Sequence, residues 1–164
     1  MPLSLMCTQF AHGDEIPARY TCEGEDVSPP LAWMGAPAGT KSFALIVDDP
    51  DAPDPANPQR TWVHWVLYNV PHDVDDLPEA MQPRALPPNA REGLNDWERT
   101  GWGGPCPPIG RHRYFFKLYA LSSFIPDLPD LTAGEVESAM EGRVLEQAEL
   151  IGTYQKKKKG GAVR

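Results

Sequence analysis

The stretch GWGGPCPPIGRHRYFFKLYA, residues 101–120, runs a glycine- and proline-rich loop straight into an aromatic strand, with His112 at the junction. Four glycines and three prolines in its first ten residues exclude a helix or a central strand, because proline removes backbone donors and glycine opens unusual dihedrals. From His112 onward Tyr114, Phe116, Leu118 and Ala120 alternate with Phe115, Lys117, Tyr119 and Leu121, so both registers are rich in aromatic and apolar residues. That pattern predicts a strand buried on much of both faces. His112 has the parity of Tyr114, so the two side chains should leave the strand on one face, beside a rigid loop that could wall a ligand pocket.

Working outward, residues 42–48 form an apolar run with the length and composition of a central strand, and it ends in DDPDAP, residues 48–53. Asp49 precedes a proline and is pushed to extended geometry, so its carboxylate should be held, either in a working role or by capping backbone amides of its own turn. Residues 61–70 predict a second buried strand in which Trp62, His64, Val66 and Tyr68 share one face. His64 there is a hydrogen-bonded core histidine or a site residue. A first strand is predicted over residues 3–10, and Thr132 with Glu135 predicts a capping box. The helix it opens carries an apolar stripe through Val136, Ala139, Met140, Val144 and Leu145, and a last strand runs through Ala148, Leu150 and Tyr154. Residues 71–90 read as a polar excursion, and residues 91–99, with Asn95, Asp96 and Trp97, as a loop closing over the pocket.

The 164 residues suit one domain. Nineteen prolines and fourteen glycines argue against a helical bundle, and 41% apolar content argues against disorder. A net charge of -8 excludes a nucleic-acid binder, which needs a basic surface. The N-terminus shows no basic n-region and no apolar run of signal-peptide or membrane-span length, which predicts a cytoplasmic chain with no stable membrane insertion. Cys7, Cys22 and Cys106 are odd in number and form no C-x-x-C, so reduced thiols are expected, with Cys106 a small buried filler.

Three separated motifs, DPDAP at residues 49–53, W-x-H at residues 62–64 and GGPCPPIGRHRY at residues 103–114, occur in the order that resembles the phosphatidylethanolamine-binding (Raf kinase inhibitor protein) family. EGLNDWERTGWGGPCPP and AELIGTYQ are similar to its bacterial and archaeal branch. The resemblance implies a mainly β fold, a Greek-key antiparallel β-sandwich with one or two short C-terminal helical segments, occupying residues 1–155 and followed by a basic flexible tail, residues 156–164. It further implies a small anion pocket lined by Asp49, Trp62, His64, Gly104, Pro105, His112 and Tyr114, taking phosphate or a phospho-head-group such as phosphoethanolamine. By analogy the partners include a kinase or a protease, and long loops are compatible with a homodimer. No cofactor, metal or catalytic residue is expected. The alternative is a small-molecule hydrolase or metal-dependent enzyme using Asp49, His64 and His112. Gln59 replaces an aromatic residue of the animal proteins, and no pocket-flanking helix follows Tyr154, which sets phospholipid specificity and kinase regulation apart from the fold. Two imidazoles near their ordinary pKa of about 6.5 would donate to phosphate oxygens, with loop amides adding donors as a nest.

Overall fold

The computed structural model describes residues 2–157. Its strands are β1 (Ser4–Met6), β2 (Leu31–Met34), β3 (Ser42–Ala52), β4 (Arg60–Pro71), β5 (Asp76–Leu77), β6 (Arg91–Glu92), β7 (His112–Leu121) and β8 (Val144–Tyr154), with a helix α1 (Ala133–Met140) between the last two. They form two antiparallel sheets, β1-β2-β5 and β6-β4-β3-β7-β8. The mainly β sandwich expected from the strand pattern is the architecture found.

Strand β3 lies at the centre of the larger sheet, which explains why both of its registers are apolar. Phe43, Leu45 and Val47 pack with Trp65, Phe116 and Leu118, and against Leu5, Leu31 and Trp33 of the smaller sheet. Ala44 and Ile46 face the other way, onto Val136 and Met140 of α1. The molecule is therefore layered small sheet, large sheet, helix, with apolar burial on both sides of β3 supplying the main drive to this order.

Several expectations are corrected by local chemistry. Strand β1 stops at Met6 rather than running on to Phe10, whose ring instead packs against Phe116. The capping box forms, with the Thr132 side chain accepting from the Glu135 amide, but α1 ends at Met140. Gly142 then takes a left-handed φ of +77° and turns the chain, so Val144 and Leu145 belong to β8 and are exposed rather than part of the helical stripe. Helix α1 is the short C-terminal helical segment that was expected, and two 3-10 turns, Ala18–Tyr20 and Pro83–Ala85, lie earlier in the chain. The acidic DDPDA segment is strand: β3 continues through it, with Pro50 and Asp51 bulged opposite Thr61 between the pairs Asp49–Trp62 and Ala52–Arg60, where a missing proline N–H breaks no ladder bond. Lys157 at the start of the basic tail lies 2.8 Å from Glu15, and residues 158–164 fall outside the described residues. Among the described residues no helix is long and apolar enough to cross a membrane.

Candidate functional site

A β-bulge decides where His64 points. Val47 pairs with Trp65 and Asp48 with Val63, leaving His64 as an extra residue on β4. Uninterrupted alternation would put His64 beside Val66 and Tyr68, which pack on the α1 side. The bulge turns it to the opposite face, where its ring meets Tyr114 edge-on at 5.2 Å between centroids. The shared face for Trp62, His64, Val66 and Tyr68 is thus corrected: a period of two cannot see an inserted residue.

The glycine-rich loop locks onto this bulge. His64 Nδ1 lies 2.6 Å from the Gly103 carbonyl, and the Gly103 amide donates back to the His64 carbonyl at 3.0 Å. A carbonyl accepts only, so Nδ1 carries the proton and Nε2 has no partner among the described residues. Burial pushes the His64 pKa below its ordinary value, against the Gly103 bond and the nearby carboxylates of Asp49, Asp26 and Asp96. The ring is neutral, with a bare lone pair at Nε2.

His112 is built the other way. Its Nδ1 lies 2.6 Å from Asp49 Oδ2, and its Nε2 lies 3.1 Å from the Pro53 carbonyl and 2.9 Å from that of Ile109. Every neighbour of either nitrogen is an acceptor, so both nitrogens must donate. Burial acts to lower the His112 pKa, but the Asp49 carboxylate and the two carbonyls outweigh it and hold the pKa above the ordinary value. Asp49 Oδ1 also accepts the Asp51 amide at 2.7 Å, so the carboxylate is held by its own turn as well as by the imidazole. His112 and Asp49 are a buried ion pair, 1% and 5% exposed at their side chains.

These contacts revise the expected chemistry. His112 has no ring nitrogen left for a phosphate oxygen. The amides of Gly103 and Gly104 are spent on His64 and on Asp26 Oδ1, the latter at 2.8 Å, so neither adds a donor to a nest. A two-histidine, one-carboxylate metal set would need lone pairs that His112 has committed. No group of metal-ligating side chains is found among the described residues.

What remains is an open cavity of about 350 Å³, at the small end of small-molecule sites. Of the residues singled out in the sequence, Asp49, Trp62, His64, Gly104, His112 and Tyr114 line it. Pro105 does not: it is buried behind the wall, where its carbonyl accepts from the Cys22 amide. Two polar atoms in lining residues are buried without a protein partner, Trp62 Nε1 and Tyr114 OH. Desolvation by burial, with Asp49 and Asp51 nearby, pushes the Tyr114 hydroxyl far above its ordinary pKa, so it stays a phenol.

Trp97 and Arg99, from the residue 91–99 loop expected to close over the pocket, complete the wall together with Asp26, which the sequence did not mark. The Trp97 ring meets those of Trp62 at 5.4 Å and His64 at 5.1 Å, and the Arg99 guanidinium lies over the Trp97 ring. The Asp96 amide donates to the Val63 carbonyl and Asp96 Oδ2 accepts from the Val63 amide, so residues 94–103 lie along the bulged part of β4. The position of Trp97 just before the glycine loop was the available signal; Asp26, more than 70 residues upstream of Gly104, offered none.

The expectation of reduced thiols is overturned for two of the three cysteines. Cys22 and Cys106 form a disulfide across a separation of 84 residues, their Cα atoms 5.5 Å apart, and both line the cavity. Cys7 stays free and half-buried, its thiol pushed up by burial. At Gly104, a Cβ would sit 2.3 Å from the Tyr20 carbonyl oxygen and from Asp26 Oδ1, so backbone would have to move. We expect Gly104→Ala to cost about 1–3 kcal/mol by overpacking, read as a lower urea midpoint at unchanged m-value.

Residues 7–155 match the sequence profile described as phosphatidylethanolamine-binding protein. The chain belongs to the phosphatidylethanolamine-binding protein family. A family relative, the UPF0098 protein of Methanothermobacter thermautotrophicus, is 46% identical over 155 residues, covering 94% of this chain and 99% of the relative. Two solved members of similar shape are the phosphatidylethanolamine-binding protein homologue CT736 of Chlamydia trachomatis, at TM-score 0.87 and 38% identity over 95% of this chain and 99% of that one, and E. coli YbcL, at TM-score 0.86 and 34% identity over 96% and 100%. The bacterial and archaeal resemblance seen in the motifs is the one these comparisons show.

Proposed function

We propose that the cavity binds a small oxyanion, a phosphate or a phosphorylated group, and that binding with a regulatory output is what the protein does. The observation that carries this reading is the pair of orphaned donors, Trp62 Nε1 and Tyr114 OH, in residues lining one cavity. A buried donor without an acceptor costs about 1–3 kcal/mol, and a ligand oxygen relieves that cost. Asp49 does not bar an anion, because His112 neutralises it. Arg99 in the cavity wall adds positive charge, and the aromatic walls of Trp62, Trp97 and Tyr114 suit the carbon portion of a head group or of a phosphorylated side chain on a kinase-like partner.

Calorimetric titration with phosphate, phosphoethanolamine and phosphoserine near pH 6 tests the reading. Saturable binding is expected in the wild type. Tyr114→Phe should weaken it about tenfold by removing one donor, and His64→Ala should weaken it at least as much by opening the wall. Equal affinity in wild type and both variants would remove the cavity from the account.

A further inference from the structure

Resting on that reading, we infer that the cavity selects oxyanions that bring their own proton, phosphomonoester and phosphonate monoanions, over sulfate esters. Trp62 Nε1 and Tyr114 OH can donate to any oxyanion. The discrimination comes from His64. Its Nδ1 proton is fixed by the Gly103 carbonyl at 2.6 Å, which leaves Nε2 as a lone pair, and the Asp49 carboxylate in the same cavity adds only acceptors. A ligand oxygen facing Nε2 needs a hydrogen between them. A phosphomonoester, with a second pKa of about 6, supplies it as P–OH. A sulfate ester, a strong acid, stays unprotonated across the pH range of the test below, so the proton would have to be placed on the ring itself.

Burial opposes that charge. The groups acting on His64 are Asp49 from β3, Asp26 from the loop held to Gly104, and Asp96 from the segment beside β4; all three favour a charged ring and are outweighed by desolvation. The His112 imidazolium and Arg99 in the same cavity wall oppose a second cation there. Either placement of the proton in the phosphate complex gives the same sum, one proton more than the free partners hold at about pH 8. Affinity for phosphate therefore falls as pH rises through the ligand's own titration.

The test is calorimetry on the whole chain with methyl phosphate and methyl sulfate at about pH 5.5 and pH 8, on wild type and His64→Gln. The Gln amide can turn an N–H to the ligand and so removes the requirement for a ligand proton. Expected are methyl phosphate binding at least about tenfold tighter than methyl sulfate at the lower pH, and loss of phosphate affinity by tens-fold at the higher pH. The ratio of the two ligands should collapse toward one in His64→Gln. Wild-type affinities within about twofold at pH 5.5 would overturn the selectivity while leaving the anion site intact. No binding of either ligand would overturn the site and the selectivity together. The wild-type comparison decides the matter even if the variant folds poorly.

Discussion

Replacing Asp49 with Ala is expected to lower the stability of the fold by about 3–5 kcal/mol near pH 6, the cost of stripping a buried charge of its partner. His112 sits among acceptors on every side, and without Asp49 the imidazolium keeps only the Pro53 and Ile109 carbonyls. Shedding the proton lessens the damage but leaves Nδ1 facing a void. The sign of the pH dependence follows from the raised His112 pKa. The pair's contribution is fully present below the unfolded histidine value of about 6.5 and is lost as pH rises through the higher folded value. His64 runs oppositely, since its lowered pKa makes its contribution present above about 6.5 and lost as pH falls. Urea midpoints of wild type, Asp49→Ala and Asp49→Asn from pH 5 to pH 9 check this. Asp49→Asn keeps the shape and one hydrogen bond, so it should cost less than Ala yet abolish the loss of stability on the alkaline side. An alkaline slope that survives in Asp49→Asn would mean that His112 is not the group responsible.

The second large effect is expected from the disulfide. Cys22 and Cys106 close a loop of 84 residues, for which chain entropy alone gives about 4–5 kcal/mol, and native bridges deliver about 2–5. The bridge also fastens the loop at residues 21–26 to the glycine-rich loop, in parallel with Cys22 N to Pro105 O and Gly104 N to Asp26. The Cys22→Ser, Cys106→Ser double variant should therefore lose about 2–5 kcal/mol and weaken anion binding, and the reduced wild type should match it. Amide exchange should speed up at Gly103 and Gly104 in both. An unchanged urea midpoint after full reduction would show the bridge to be dispensable. The expectation of three reduced thiols thus gives way to one bridge and one free thiol, Cys7.

What the sequence carried and what it withheld divide along a physical line. Strands with apolar side chains in both registers, such as β3 and β7, were legible because burial on two faces writes itself into composition. The α1 cap was legible because Thr132 and Glu135 contact each other locally. The His64 bulge was not, since alternation carries no mark of one extra residue, and it moved the site's neutral histidine to the other face of the sheet. The roles of the histidines were equally hidden. Whether an imidazole can reach a ligand depends on which carbonyls stand at its two nitrogens, and for His112 those come from Pro53 and Ile109 in two different loops. An odd cysteine count concealed a pairing of two with the third, Cys7, left over.

Entry of an oxyanion into the cavity, where it accepts from Trp62 Nε1 and Tyr114 OH, is tested in the indole region of a ¹H–¹⁵N spectrum during titration with methyl phosphate near pH 6. The molecule holds its own controls. Trp33 Nε1 is also buried without a partner but lies in the core between the sheets, and Trp65 and Trp102 donate to Glu92 and to the Tyr20 carbonyl. A saturable shift of the Trp62 indole N–H is expected, with those three unmoved. A Trp62 signal that stays with Trp33 at saturating methyl phosphate would contradict it.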